Sequence, residues 1–170
     1  ALHSVARWWL DLVYDFVLAG PAGVLAAAAG AFSGGCEEPA TPPLPPPVMV
    51  VCASMHGTAR MQLEALRRAR PGVAVAASPM PPGGHAPADP AFVAGWFDSR
   101  AVVIAGTLVL IGGETAAAVM GEGRWLCSGT VAPGVAVSRR VDGTGPVYVT
   151  KAGAFGGEDT LVRVIDMVGD

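Results

Sequence analysis

The chain has 170 residues, of which 52% are hydrophobic and 15% are charged, and its net charge is −3 at pH 7. This length predicts a single domain over residues 1–170 with a hydrophobic core of its own. The weakly acidic balance argues against nucleic acid as a partner, because proteins that bind a phosphate backbone usually carry a basic surface. Much of the hydrophobic content is alanine and valine beside 23 glycines, which favours packed α/β layers over a membrane protein.

The three cysteines are an odd number, and none has the CxxC or Cys/His spacing of a zinc site. Cys36, Cys52 and Cys127 are therefore predicted to be reduced thiols, and the protein is predicted to be cytoplasmic. No residue is assigned as a metal ligand from spacing alone.

The N-terminal part of the chain predicts two helices. Apolar residues at helical spacing mark Ala1–Tyr14, and an uncharged run follows over Phe16–Phe32. This run could resemble a membrane span or an export signal, but Gly20-Pro21-Ala22-Gly23 interrupts it, and it lacks a basic start. We interpret it as a strand at Asp15–Leu18, a turn and an alanine-rich helix at Val24–Phe32.

The middle of the chain begins with a proline-rich stretch, Glu37–Pro47, which is either a docking peptide for an aromatic groove or a stiff loop. We favour the loop, because a strand is predicted immediately afterwards. The elements predicted next are a strand at Val48–Val51, a helix at Ala59–Arg70, a strand at Val73–Ala77, a loop at Ser78–Pro90, a short helix at Pro90–Phe97 and an apolar strand segment at Ala101–Ile111.

Two glycine turns in the last third share one layout. The first, Gly112-Gly113, joins the apolar segment to a small-residue helix at Thr115–Met120, and the second follows a β-branched strand at Val147–Thr150 and precedes a helix at Thr160–Val168. Glycine lets a backbone approach a ligand closely, and the first amides of a helix attract anions. The two turns are predicted to lie at neighbouring strand ends and to suit phosphate.

Between the turns we predict a strand at Arg124–Ser128 and a loop at Val131–Val135. Strands that alternate with helices predict a three-layer α/β/α domain whose sheet is mostly parallel or mixed.

Three strings, LIGGETAAAV, SGTVAPGVAVSR and VTKAGAFGGEDTL, occur in an order that resembles the C-terminal nucleotide-binding domain of the four-carbon acid sugar kinase family. The resemblance implies ATP and Mg²⁺ as cofactors and a sugar acid such as threonate or erythronate as the phosphoryl acceptor. In that family the acceptor binds to an N-terminal domain that has no counterpart in these 170 residues. Whether the chain forms a homo-oligomer stays open, and no catalytic base is identified.

The resemblance implies that the glycine turns bind the nucleotide through Gly112, Gly113, Gly153 and Gly156. Thr115 would either contact phosphate or cap its helix. Glu114 would be a ligand of Mg²⁺ or of water, or an ordinary acid of the first helical turn.

Lys151, the only lysine of the chain, would neutralise phosphoryl charge or form a surface ion pair. Glu158 and Asp159 are expected to cap the last helix. After the first predicted strand of the middle segment, Ser54, His56, Thr58 and Gln62 fit family positions, and Ser54 and His56 are expected to contact the nucleotide.

The sequence departs from the family pattern in three places: Pro21 replaces a serine, Ala53 replaces a glycine, and the segment before Ala101 is shorter. A shortened, non-catalytic binding or scaffold domain is therefore the alternative to a kinase domain. Neither a Walker A motif nor a GxGxxG fingerprint is present.

Overall fold

The computed structural model describes residues 4, 8, 11, 27–31, 43–79 and 104–168. The chain divides into two compact units, Ala1–Glu38 and Pro39–Asp170. In the first unit Ser4, Trp8, Asp11 and residues 27–31 are helical, as predicted. The predicted strand at 15–18, the turn at 20–23, and most of the loop, helix and strand segment predicted over 78–103 lie outside the described residues.

The second unit contains a six-stranded sheet in the described residues, with three helices packed on it. The strands are β1 (Val48–Cys52), β2 (Ala74–Ala77), β3 (Thr107–Ile111), β4 (Trp125–Ala132), β5 (Val135–Arg140) and β6 (Val147–Lys151). The helices are α1 (Gly57–Ala69), α2 (Gly113–Met120) and α3 (Thr160–Asp166). None of the described helices is both long enough and apolar enough to cross a bilayer.

The sheet has the order β2-β1-β3-β6-β5-β4 and is mixed. The first four strands in this order run parallel, whereas β5 is antiparallel to both β6 and β4. Strands β1 and β3 are continuous apolar runs because helices cover both of their faces.

Two apolar clusters separate the sheet into its layers. One cluster joins Val50, Val109 and Val149 to the apolar sides of α1 and α3, and the other joins Val51 and Leu110 to α2. The three-layer α/β/α architecture with a mixed sheet is confirmed.

Strand register aligns the ends of the three central strands. Cys52 is paired with Ile111, and Ile111 with Lys151, so the turns that follow β1, β3 and β6 lie side by side. The chain leaves β1 through α1 toward β2, and it leaves β3 through α2 on the opposite face. Parallel α/β sheets bind ligands at such a point, where the direction of strand order changes.

The largest difference from prediction is the antiparallel end of the sheet. The predicted loop at 131–135 is only the tight turn Pro133-Gly134, and β5, which the sequence did not predict, follows at once. Gly134 has a φ of 74° and follows Pro133, whose ring fixes a negative φ, which is the residue order of a type II turn. The Pro-Gly pair indicated a turn, but it did not indicate that strands continue directly on both sides of it. Strand β4 extends to Ala132 rather than ending at Ser128.

Helix and strand boundaries differ by smaller amounts. Helix α2 begins at Gly113, two positions earlier than predicted, and β3 includes only Thr107–Ile111 of the predicted apolar segment. Gly106 directly precedes β3. Its backbone lies against the carbonyl oxygens of Pro45 and Pro46, which leaves no room for a side chain.

The described part of the proline-rich stretch, Pro43–Pro47, packs on the domain as a loop. Leu44 is 1% exposed and forms a bridge with Val168, and the hydroxyl of Thr107 donates to the carbonyl of Pro45 at 2.7 Å. These contacts agree with the predicted stiff loop rather than with a free docking peptide.

Candidate functional site

The turns after β1, β3 and β6 meet at Ser54. A Cβ atom on Gly112 would stand 3.1 Å from the Cβ of Ser54, and a Cβ on Gly153 would stand 2.8 Å from its hydroxyl oxygen. The Gly112 amide also donates to the carbonyl of Lys151 at 2.8 Å. The two predicted glycine turns are therefore neighbours, and Ser54 lies between them.

Gly112 and Gly113 serve different purposes. Gly112 has a φ of 98°, a left-handed conformation that L side chains rarely adopt, so it is required by the turn itself. Gly113 has no such constraint, and a Cβ on it would meet no atom within 4 Å. The space in front of Gly113 is open, and it faces a cleft of about 430 Å³.

The cleft combines glycine backbone with small side chains. Its walls come from the start of α2, the β4–β5 hairpin and the end of β6. Gly113, Ala116, Thr130, Gly134 and Thr150 are among the lining residues. The contributions of Thr130 and Gly134 were missed from the sequence, because the hairpin that carries them was not predicted. Small residues leave room for a ligand above the first turn of α2, where free backbone amides attract an anion.

Thr115 neither caps α2 nor faces solvent. It is fully buried, and its hydroxyl accepts a hydrogen bond from the amide of Ala53 at 3.1 Å. The N-cap of α2 is Gly112, without a side-chain bond. Thr115 therefore ties the helix to the end of β1 and holds the two turns together. Ala53, which replaces a family glycine, fits here as a fully buried residue.

Ser54 and His56 form the turn before α1. The amide of His56 donates to the hydroxyl of Ser54 at 3.3 Å, and the Nδ1 atom of His56 accepts from the amide of Thr58 at 3.2 Å. Because Nδ1 accepts, the neutral ring carries its proton on Nε2. The exposed His56 thus has an N–H donor for a ligand, and its Cβ lies 3.8 Å from the Cβ position of Gly153.

Gln62 on α1 holds the second glycine turn. Its Nε2 atom donates to the carbonyl of Phe155 at 3.1 Å and to the carbonyl of Gly157 at 2.7 Å. Gly156 lies between these two carbonyls with a φ of 89°, and a side chain on it would collide with Thr160. The sequence placed Gln62 in a family position without indicating that it contacts this turn.

Gln62 is also buried at an energetic cost. It is fully buried, and among the described residues its Oε1 atom is the one buried side-chain oxygen or nitrogen without a hydrogen-bond partner. An unpaired buried polar group costs about 1–3 kcal/mol. Gln62 donates two hydrogen bonds to the turn, which an apolar residue at this position could not do.

Lys151 ends β6 inside the domain instead of forming a surface ion pair. It is 2% exposed, and its ammonium group donates to the carbonyl of Ala152 at 2.7 Å. Burial lowers the pKa of Lys151, although the neighbouring Cys52 acts in the opposite direction. Burial likewise raises the pKa of the Cys52 thiol, against the influence of Arg60.

Glu114 is an exposed acid in the first turn of α2. The described residues contain no group of three His, Cys, Asp or Glu side chains that could hold a metal ion. Mg²⁺ usually keeps several waters and binds to one or two carboxylates and the substrate phosphates. A single exposed carboxylate fits such an ion only where a bound ligand supplies further oxygens.

Glu158 and Asp159 do not cap the last helix through their side chains, which corrects that prediction. Asp159 is the N-cap of α3 without a side-chain bond, and the carboxylate of Glu158 pairs with Arg68 at 2.7 Å. Arg68 draws the Glu158 side chain toward α1.

A second cleft, of about 590 Å³, lies on the other side of the Gly153–Gly157 turn. The hairpin turn at Pro133, the glycine turn and α3 form its walls, and the ring of Phe155 is 61% exposed beside it. The second turn thus lines this cleft through Gly156 and Gly157.

These features define a three-layer α/β domain with a candidate ligand site where β1, β3 and β6 end. No family model and no curated protein matches the chain. Two crystal structures of a DUF1537 domain protein from Bordetella bronchiseptica are similar to it, one with a TM-score of 0.57 and 24% identity, the other with a TM-score of 0.52 and 25% identity.

Each alignment covers 98% of this chain but only 50% or 48% of the Bordetella chain. The chain therefore spans about half the length of these proteins. Both of the Bordetella structures are domain-swapped dimers with bound citrate.

Proposed function

We propose that this chain is the nucleotide-binding domain of a four-carbon acid sugar kinase-like protein. DUF1537 is the domain of that family, and the similarity in fold agrees with the three motifs in the sequence. The observation that carries the proposal is the meeting of Gly112 and Gly153 at Ser54, with open space in front of Gly113, at the point where strand order changes direction.

The phosphates of ATP would lie in front of Gly113, where the cleft is open. The amides at the start of α2 and the Nε2–H group of His56 would donate to phosphate oxygens, because both are uncommitted donors on the accessible side. The hydroxyl of Ser54 lies between the two glycine turns and is placed to reach the same oxygens.

Mg²⁺ would be held by the nucleotide phosphates, with Glu114 as the nearest carboxylate of the first helical turn. The ion would neutralise phosphate charge. In the intact protein, the domain would orient the γ-phosphoryl group toward a sugar-acid hydroxyl that another domain holds.

A second candidate, a non-catalytic nucleotide-binding or scaffold domain, is favoured by Lys151. Lys151 lines the open cleft, but its side chain is buried and its ammonium group donates to a backbone carbonyl of its own turn, so its charge is already engaged within the protein. A scaffold domain would not bind nucleotide, and a non-catalytic binding domain would bind it without turnover, so titration and turnover together separate these candidates from a kinase domain.

Calorimetric titration with ADP and ATP, each with Mg²⁺, and with NAD tests the proposal. We expect binding of the adenine nucleotides in preference to NAD. The absence of any nucleotide binding, or equal affinity for NAD, would contradict it.

A Glu114→Gln variant tests whether the carboxylate of Glu114 helps to hold Mg²⁺. It should lower the affinity for Mg-ATP toward that for metal-free ATP and leave the latter unchanged, because the carboxylate would act only through the ion. An equal loss in both titrations would argue against a role for Glu114 in holding Mg²⁺.

A further inference from the structure

The two bonds from Gln62 fix the orientation of two peptide groups in the second glycine turn. The carbonyls of Phe155 and Gly157 both point toward the Nε2 atom of Gln62, which is buried in α1. In a trans peptide the C=O and the following N–H point in opposite directions. The N–H groups of Gly156 and Glu158 therefore point away from Gln62.

These two amides are free to bind a ligand. Gly156 and Glu158 are exposed, and neither N–H donates to an acceptor among the described residues. Outward amides of a glycine turn attract an anion, and here the two amides are separated by that of Gly157. The ion pair with Arg68 partly neutralises the carboxylate of Glu158, whereas the neighbouring carboxylate of Asp159 has no ion pair among the described residues and would oppose an anion there.

We propose that Gln62 is a positioning residue, which turns the amides of Gly156 and Glu158 toward the phosphate oxygens of the nucleotide. This inference rests on the proposed function and adds to it a side chain that never touches the ligand. The unpaired Oε1 atom supports it, because an apolar residue at position 62 would avoid the buried, unsatisfied oxygen but could not hold the two carbonyls.

The same turn reaches the rest of the site. Gly153 at its start lies against Ser54, and Gly112, which opens α2, lies against the same serine. Gly156 itself lines the second cleft, so a nucleotide that contacts both turns must extend from the space in front of Gly113 past Ser54 to Gly156. Gln62 thus connects the interior of α1 to the ligand-facing side of the second turn.

The test compares Gln62→Leu with Leu66→Val, which alters the same helix and the same apolar cluster without contact to the turn. Each hydrogen bond to a charged group contributes enough for an affinity loss of about tenfold or more. We expect Gln62→Leu to weaken ADP binding by at least about tenfold, and Leu66→Val to leave it within about twofold even if both lower Tm.

Amide NMR supplies a readout that a loss of stability alone would not change. In the wild-type protein, the signals of Gly156 and Glu158 should shift as ADP is added, and in Gln62→Leu these shifts should be lost while that of Gly113 remains. Gln62→Glu should behave like Gln62→Leu, because its carboxylate cannot donate to the two carbonyls. Wild-type affinity in a folded Gln62→Leu protein, or no shift at Gly156 and Glu158 in the wild type, would overturn the inference.

Titration with pyrophosphate separates this inference from the proposed function. If pyrophosphate shifts the two amides in a Gln62-dependent manner but ADP does not bind, the proposed nucleotide function fails and the role of Gln62 stands. If the wild-type protein binds neither, both are overturned.

Discussion

At the scale of single residues, Gly113 offers the sharpest test of the binding site. A Cβ on Gly113 meets open space, so Gly113→Val should fold normally while its side chain occupies the volume assigned to phosphate. We expect calorimetry to show no nucleotide binding. This corresponds to an affinity at least about 100-fold lower, if the loss of amide contacts adds to the steric effect.

Gly72 provides the matched control for this substitution. A Cβ on Gly72 also meets no atom within 4 Å, but Gly72 lies in the turn after α1, at the other end of that helix from His56. Gly72→Val should retain wild-type affinity. A folded Gly113→Val protein with unchanged affinity would show that the phosphates bind elsewhere.

Lys151 gives the domain a pH-dependent stability. Burial lowers its pKa in the folded state below the value of about 10.4 in the unfolded chain. The stability that neutral Lys151 contributes is fully present above the pKa of the unfolded chain. It is lost as the pH falls through the lower pKa of the folded state. At pH 7 this contribution to stability is smaller than above the unfolded pKa, because burial disfavours the charged form of the side chain.

We expect Lys151→Met to raise Tm at pH 7, by an amount that shrinks as the pH approaches about 10. Thermal unfolding followed by circular dichroism at both pH values measures this, with the exposed Arg139→Met as the control that should show no such trend. A lower Tm at pH 7 would mean that the bond to Ala152 outweighs the cost of burial.

At the scale of elements, the contact between α2 and β1 holds the site together. Thr115→Val would leave the amide of Ala53 without its acceptor, and an unpaired buried group costs about 1–3 kcal/mol. Denaturant unfolding should show this loss of unfolding free energy. Thr115→Ser keeps the hydroxyl and should restore most of it, so an equally large loss in Thr115→Ser would point to the methyl group instead.

The parallel half of the sheet was predictable because its central strands are apolar or β-branched runs, two of which, β3 and β6, end in glycine turns. β1 and β3 could be read from such runs, and the convergence of their turns follows from parallel topology. The antiparallel half was not predictable to the same extent. Strand β4 has no fully buried residue, and Leu126, Cys127 and Thr130 are exposed, so it lacks the buried apolar run that identified β3.

The site was predicted in part for similar reasons. Gly112, Gly113, Gly153, Ser54 and His56 lie together as expected, because backbone turns are visible as glycine patterns. The orientation of Lys151 and the contacts of Gln62 depend on which way a side chain points from its element. Tertiary packing decides this, and spacing along the chain does not reveal it.

At the scale of the whole molecule, the chain spans about half the length of its structural relatives. We expect these 170 residues alone to show no sugar-acid kinase activity, because the proposed acceptor site belongs to another domain. Without a held acceptor, phosphoryl transfer loses an effective molarity on the order of 10⁵ M or more.

A coupled assay of ADP release with threonate and erythronate checks this expectation. Slow hydrolysis of ATP by water is the most that we expect from the isolated chain. Acceptor-dependent release of ADP would show that the acceptor site lies within these residues and that the domain assignment is wrong.

The mixed sheet also sets an order of folding. The strands β4, β5 and β6 follow one another and pair in that sequence, whereas β3 pairs with strands that precede and follow it at long range. Pairings between strands that are close in sequence close small loops and form early. Parallel pairings form later, because the long connections between their strands must close first. Pulse-labelled hydrogen exchange should therefore protect the amides of β5 before those of β1. The ligand site needs the ends of β1, β3 and β6 together, so it would be among the last parts of the domain to form. A nascent chain could therefore not bind the proposed nucleotide until β6 had paired with β3.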